Sequence, residues 1–347
     1  MLPIKTALSS FGMSGTLFHA PFLDVHPGFD LYAVWERTKN LASEKYPSIK
    51  TYRSFDEITA DPQVELVIIN TPNQTHYDLS KQALMAGKHI VVEKPFTVNS
   101  KEAEELIELG KKQEKLISVY HNRRFDSDFQ TVKKVIDEGW LGTIVEAEIH
   151  FDRYKEELSY KQHKETPNPG TGMVFDLGSH LIDQALVLFG KPDAVFADIA
   201  IMRPVSKVDD YFEIILYYPH HRVRLRASYQ VREPIPGFII HGSKGSFLKS
   251  RADVQETDLL AGKKPGSKNW GVEPDSERGL LHTEKDGKLI REHISTIAGN
   301  YGLYYDGVYE AIRNNAALPV SGEDGLSIIK IIETAFASNR ERKVLPL

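Results

Sequence analysis

A lysine set between Glu93 and Pro95, directly after the apolar run His89–Val92, is unexpected at the end of a strand. A cation there can stabilise negative charge that develops on a reacting oxygen. A second concentration of chemistry lies in residues 170–192, GTGMVFDLGSHLIDQALVLFGKP. At about 100° per residue, Asp176, His180 and Asp183 share one narrow helix face, opposite Leu177, Leu181, Ile182, Ala185, Leu188 and Phe189. That face admits three readings. A solvated polar face of an amphipathic helix is the commonest. General acid–base work comes second, since histidine ordinarily titrates near neutrality and a carboxylate can steer it. A divalent ion held at i, i+4 and i+7 comes last, because no further ligand is placed to complete its shell.

The third stretch is SSFGMSG, residues 9–15. It follows an apolar run and leads toward a helix, with the spacing G-x-G-x-x-G except that Ser10 replaces the first glycine. A tight loop whose glycines supply positive φ would read the same way. Its place between a first strand and a helix favours a dinucleotide turn. Gly12 would then let the backbone approach a pyrophosphate, and Gly15 would permit close helix–strand packing. Ser10, Phe11 and Met13 complete the turn, and N–H groups at the helix start attract phosphate. Glu36 ends the second strand, 21 positions after Gly15. An acidic residue at about that separation meets the adenine ribose hydroxyls and disfavours a 2′-phosphate, which points to NAD. Arg37, Thr38 and Lys39 follow at once and could hold that phosphate, which leaves NADP open.

These groups need a frame that gathers strand ends along one edge. Short Val- and Ile-rich runs at Ile4–Ser9, Asp30–Trp35, Glu65–Asn70, His89–Glu93 and Leu116–Tyr120 are apolar enough for a parallel sheet covered on both faces. Helical stretches alternate with them, notably Thr75–Ala86, closed by Gly87, and one from Ser100 to about Lys115, capped by Asn99 or Ser100. Repeated βα units predict a doubly wound α/β domain over residues 1–121. In such sheets ligands bind beyond the carboxyl ends of the strands. After a connecting helix at Phe129–Glu138, residues 122–347 predict an α+β domain with an open, largely antiparallel sheet and flanking helices. Its strands are Thr143–Tyr154, Ala194–Met202, Tyr211–Tyr218, Val223–Tyr229, Phe238–His241 and Ser246–Lys249. Residues 250–295 read as a long polar excursion, and helices at Tyr304–Asn314 and Gly322–Asn339 finish the chain.

A chain of 347 residues suits two domains. Its net charge is −5 and its Lys and Arg are dispersed, which argues against nucleic acid as a partner. With no cysteine, disulfides and thiolate metal sites are excluded and a cytoplasmic location fits. The N-terminal residues lack the apolar core of a signal peptide, and no apolar run reaches membrane-spanning length, so no membrane partner is expected.

Five stretches together resemble the glucose–fructose oxidoreductase/inositol dehydrogenase (Gfo/Idh/MocA) family. They are SFGMSGTLFHAPFL at the start, NTPNQTHYDLSKQALMAGKHIVVEKPF at 70–96, HNRRFDSDF at 121–129, EAEIHFDRYK at 146–155 and GTGMVFDLGSHLIDQ at 170–184. The subgroup with scyllo-inositol dehydrogenases is the most similar. The resemblance implies an NAD(P)-dependent oxidoreductase with a Rossmann domain and a domain for substrate binding and oligomerisation, the nicotinamide lying between them. The reaction would move a hydride to or from a secondary alcohol of a sugar or cyclitol. Lys94, Asp176 and His180 match the family's catalytic set, and the Lys94–Pro95 bond is often cis in that family. Thr71, Pro72, Asn73 and His76 would line the nicotinamide side, with Glu93, Lys94, Pro95 and Asn122 close by. Tyr120, Arg123, Arg153, Tyr154 and Asp183 are implied for the substrate pocket. No metal is implied. Homodimers or homotetramers would form through the second domain's sheet. A non-catalytic binding protein of the same fold and an NAD-dependent glycosidase are the alternatives.

Overall fold

A computed structural model describes residues 2–159 and 165–347. The chain divides into two units. The first comprises Met1–Asn122, Gln255–Trp270 and Tyr301–Ser327; the second comprises Arg123–Val254, Gly271–Asn300 and Ile328–Leu347. The expected single cut at 121/122 gives way to a discontinuous division, in which two later segments return to the first unit.

The first unit holds a six-stranded parallel sheet in the order β3-β2-β1-β4-β5-β6: β1 Ile4–Leu8, β2 Phe29–Trp35, β3 Lys50–Tyr52, β4 Leu66–Ile69, β5 His89–Glu93 and β6 Ile117–Tyr120. All four residues of β4 are buried, as a central strand covered on both faces requires. The three-residue strand β3, carrying a single buried residue, had no sequence signal. The helix Ser100–Lys112 starts where Asn99 accepts the Glu102 N–H at 2.9 Å. The returning segments explain themselves through aromatic packing. Tyr301, Tyr304 and Tyr305 are fully buried, and Phe22 stacks on Tyr305 with ring centroids 5.8 Å apart. They place the helix Gly302–Asn314 in the first unit.

The second unit is built on a nine-stranded sheet in the order β14-β13-β12-β11-β7-β10-β9-β8-β15. The strands are β7 Ile144–His150, β8 Ala194–Ala200, β9 Tyr211–Tyr217, β10 Arg222–Ser228, β11 Phe238–Gly242, β12 Gly245–Lys249, β13 Gly279–Lys285, β14 Lys288–Ile294 and β15 Leu345–Pro346. β7 pairs antiparallel with β11 but parallel with β10, so the sheet is largely and not wholly antiparallel. The expected excursion at 250–295 instead contains the helix Gln255–Leu260 and the β13–β14 hairpin, which extends the sheet. Asp286 and Gly287 turn that hairpin with φ of 51° and 74°, the geometry an Asp-Gly pair supplies. Core residues of one sheet face, among them Ile149, Ile214, Leu225 and Ile240, pack with Phe129 and Val132, with Leu181 and Ile182, and with Ile328 and Ile332 of the three covering helices. No helix among the described residues is long and apolar enough to cross a membrane.

Candidate functional site

The turn after β1 keeps its shape without the first glycine. Ser10 does not adopt positive φ. Its N–H donates to Asn70 Oδ1 at 3.0 Å, its hydroxyl donates to the Asn70 carbonyl at 2.8 Å, and Asn70 Nδ2 returns a bond to the Ser10 carbonyl at 3.0 Å. Asn70, at the end of β4, thus clasps the turn; it was read only as a strand terminus. A Cβ at Gly12 would meet nothing nearer than Ser10 Oγ at 4.0 Å, so the backbone is open on that side. Open backbone there suits close approach by a pyrophosphate, which is the fit a dinucleotide needs. A Cβ at Gly15 would lie 2.5 Å from the Ser10 carbonyl oxygen and 2.9 Å from Asn70 Nδ2. Gly15→Ala must therefore push the turn and its clasp apart. We expect affinity for a reduced nicotinamide dinucleotide to fall at least about tenfold, or 1.4 kcal/mol, when followed by nicotinamide fluorescence; unchanged affinity would remove the turn from the site.

Glu36 is placed differently from expectation. Its carboxylate is turned to the next helix, accepting the Leu41 N–H at 3.1 Å and the Ala42 N–H at 3.0 Å. It caps Leu41–Lys45 and is 7% exposed, so local backbone donors occupy the group expected to read the ribose. Arg53 fixes the same loop through the carbonyls of Glu36 and Lys39. Arg37, Thr38 and Lys39 are exposed beside it.

At the end of β5, Glu93 ties together two pieces that the sequence had kept apart. Its carboxylate accepts from Ser14 in the glycine turn, from His19 Nε2 at 3.1 Å and from the Lys94 N–H at 3.1 Å. Burial alone would raise this carboxyl; the His19 hydrogen bond and charge, helped by Ser14 and Lys94, outweigh it and hold the pKa at about 2. His19 is fully buried, and its Nδ1 lies 2.7 Å from the Tyr305 hydroxyl. His19 went unassigned in the sequence because it sits ten residues from the nearest strand boundary, inside a π-turn at Gly15–His19. The Lys94–Pro95 bond is cis.

His76, expected beside the nicotinamide, is fully buried, with its ring nitrogens 2.9 Å from the Pro95 carbonyl and 3.0 Å from the Thr71 carbonyl. Burial holds its pKa below the ordinary value, so the neutral ring donates to one carbonyl at a time. It positions the Thr71-Pro72-Asn73 and Glu93-Lys94-Pro95 loops without facing them outward. Tyr120 is also corrected. It is 1% exposed, donates to the Phe18 carbonyl at 2.8 Å and packs edge-on to Tyr304, so it belongs to the aromatic core. Asn122 is buried at the end of the same segment.

In the second unit, the expected single helix begins as a π-turn, Val174–Gly178, and continues as an α-helix, Ser179–Phe189. Asp176 lies in the wider i→i+5 turn, so the 100° phase assigned to it does not hold. His180 is 4% exposed in the first turn of the α-helix. Asp209 fixes the start of this element: its carboxylate accepts the Val174 N–H at 2.8 Å and its carbonyl the Met173 N–H at 2.9 Å. A Cβ at Gly172, where φ is 97°, would sit 2.0 Å from Asp209 Oδ1. Burial pushes the Asp209 carboxyl up to about 6 despite the Val174 bond. Nothing in the order of the sequence links 209 to 173.

Asp183 is not free for a substrate, since both its oxygens accept from Arg124 Nε at 3.0 Å and one accepts from Arg124 Nη2 at 2.6 Å. Tyr154 is likewise engaged at the surface, donating to Glu156 and lying under Arg232. Arg123 and Arg153 are brought together, over the ring of Phe151. Among the described residues no group of three or more His, Asp or Glu is arranged to hold a metal ion.

Comparison with known proteins follows this anatomy. Residues 4–121 match the model for an oxidoreductase family with an NAD-binding Rossmann fold, and residues 133–347 match its C-terminal alpha/beta domain. The chain is 38% identical to the scyllo-inositol 2-dehydrogenase (NADP+) of Bacillus subtilis, over 99% of this chain and 96% of that protein. It is 23% identical to the myo-inositol 2-dehydrogenase of Thermotoga maritima, over 99% and 98%. A solved oxidoreductase structure from Bacteroides fragilis superposes with a TM-score of 0.92 at 47% identity, over 99% of this chain and 100% of that one. The chain belongs to the Gfo/Idh/MocA oxidoreductase family.

Proposed function

We propose that the protein is an NADP-linked dehydrogenase that moves a hydride between the nicotinamide and a secondary alcohol or ketone of a polyhydroxylated substrate, a sugar or a cyclitol. The observation that carries this reading is the Glu93 carboxylate, which joins the phosphate turn at Ser14 to the main chain of Lys94. A turn open to a pyrophosphate and a lysine at the end of β5, two strands away, are held by one group.

When bound, the nicotinamide accepts the hydride. His180 takes the hydroxyl proton as the C–H bond breaks, and returns it in the reverse direction. The Lys94 ammonium stabilises the alkoxide and polarises the ketone. Asp176 orients the substrate hydroxyl. Thr71, Pro72 and Asn73 would line the nicotinamide side, and His76 sets their loop.

Three observations favour NADP over the NAD suggested by Glu36 in the sequence. The Glu36 carboxylate is occupied by two backbone N–H groups. Arg37, Thr38 and Lys39 stand exposed next to it, suited to a 2′-phosphate. The Bacillus subtilis relative is named for NADP+. Titration of the purified protein with both reduced cofactors tests this: NADPH is expected to bind at least about tenfold tighter than NADH, and Arg37→Ala to remove most of the difference. Tighter binding of NADH would overturn the assignment, and binding of neither would overturn the dehydrogenase itself.

The protein acts in the cytoplasm, where a cysteine-free chain fits. It works as a dimer through the sheet face turned from the helices, where half-buried Phe196, Ile215, Tyr217 and Leu248 alternate with core residues.

A further inference from the structure

One carboxylate in the second unit has no part in the chemistry above, yet three consecutive residues ahead of Asp176 are fixed against it. Asp209 lies two residues before β9. Its carboxylate accepts the Val174 N–H at 2.8 Å, and its carbonyl accepts the Met173 N–H at 2.9 Å. Gly172 is pressed onto the same carboxylate: φ there is 97°, and a Cβ would meet Oδ1 at 2.0 Å. From this anchor the Asp176 N–H donates to the Gly172 carbonyl at 3.0 Å. The anchor is itself held. The neighbouring Asp210 is buried and accepts the Met202 N–H at 2.6 Å and Arg203 Nε at 2.8 Å. Arg203, also buried, reaches on to the Glu157 carbonyl at 2.8 Å and to Glu165 at 3.3 Å. The β8–β9 connection thus grips the chain on its way to Asp176 at Glu157, at Glu165 and at Val174.

What this anchor decides is a phase. A π-turn takes about one residue more than an α-turn, because its bonds run i→i+5. One residue is about 100° of helix rotation. Whether Val174–Gly178 closes as a π-turn or as an α-turn therefore turns Asp176 by about 100° relative to His180, which lies in the α-helix that follows. The first N–H groups of a helical segment have no partner inside it, so the acceptor given to Val174 selects where the turn begins. A neutral acceptor would cap this turn at lower cost. Burial first, and the Asp210 charge last, push the Asp209 carboxyl up to about 6 against its bond from Val174. Carboxyls displaced in this way gather at functional sites. We infer that Asp209 is a positioning residue of the hydride-transfer site: bearing on Gly172 and Val174, its carboxylate holds the phase of the π-turn and so the placement of Asp176 relative to His180. That role rests on the dehydrogenase reading.

The test is steady-state oxidation of myo-inositol, scyllo-inositol and D-glucose by the full chain with NADP+. Turnover is counted per NADPH-binding site, and folding is followed by circular dichroism. Asp209→Ala removes the acceptor and is expected to lower kcat about tenfold or more, as misplacing a catalytic group does. The NADPH dissociation constant is expected to stay within about twofold, because Gly12 and Gly15 belong to the first unit. Asp209→Asn keeps an oxygen for the Val174 N–H and is expected to recover most of the loss. If Asp209→Ala does not fold, Asp209→Glu decides in its place: it keeps the charge but sets it one carbon further out, and the same loss of kcat is expected. Wild-type kcat in the deciding variant, or no recovery in Asp209→Asn, would overturn the inference. So would a loss confined to the number of NADPH-binding sites, which is what a merely structural role predicts. A wild type that binds NADPH but oxidises none of the three probes sinks the dehydrogenase reading first, a failure visible before any variant is made, and the inference falls with it.

Discussion

His180→Ala is expected to lower kcat by about 10²–10⁴-fold and to leave the NADPH dissociation constant within about twofold. The proton of the secondary alcohol must leave as the hydride does, and the imidazole is the group assigned to take it. Deleting it removes an interaction made in the transition state and not in nucleotide binding. Lys94→Ala should cost about 10²–10³-fold in kcat through loss of the charge beside the alkoxide. The backbone N–H that Glu93 accepts survives this substitution, so nucleotide binding is expected to change little. If the two side chains act as one unit, the double variant will be little slower than the worse single one. Steady-state kinetics with NADPH and a ketone, beside equilibrium nucleotide binding, checks all of this. Turnover within threefold of wild type in either single variant would remove that residue from the chemistry.

The frame around these residues was largely legible in the sequence. β5 has its expected bounds at His89–Glu93, because a continuous Ile-Val-Val run with turn chemistry at its end leaves little choice. The turn between β1 and the first helix was legible through Gly12 and Gly15. What escaped was whatever depends on partners distant in sequence. Asn70 and Ser10 are 60 residues apart and Glu93 and Ser14 are 79, and no periodicity reports such pairs. Spacing gave the place of Glu36 and not its partners, the Leu41 and Ala42 N–H groups. Asp183 and Tyr120 misled alike: a polar group near a site was assigned outward, while Arg124 and the Phe18 carbonyl had already claimed it. The β13–β14 hairpin, by contrast, was present in the sequence as Lys-Asp-Gly-Lys at 285–288, hidden by the polarity of its strands.

Glu93→Ala is expected to destabilise the first unit by about 3–5 kcal/mol, because it strips the buried ring of His19 of its carboxylate. It also leaves the Ser14 hydroxyl and the Lys94 N–H without their acceptor. The pH dependence identifies the cause. The carboxyl titrates at about 2 in the folded protein, below its ordinary 4.5, so the folded state favours the ionised form. The resulting stability is fully present above about pH 4.5 and is lost as pH falls toward 2, in total about 3 kcal/mol. Urea unfolding of wild type and variant should therefore differ most near neutrality and converge in acid. A difference that stayed constant from pH 7 to 2.5 would mean that packing, and not the charge, is what the substitution removes. Glu93→Gln separates the two roles further. The amide oxygen can still accept from Ser14 or Lys94, so part of the NADPH affinity should return. It cannot carry the negative charge, so the convergence in acid should not return. Recovery of both would show that an acceptor alone suffices at this position, and the carboxylate charge would then have no share in holding Lys94 against the glycine turn.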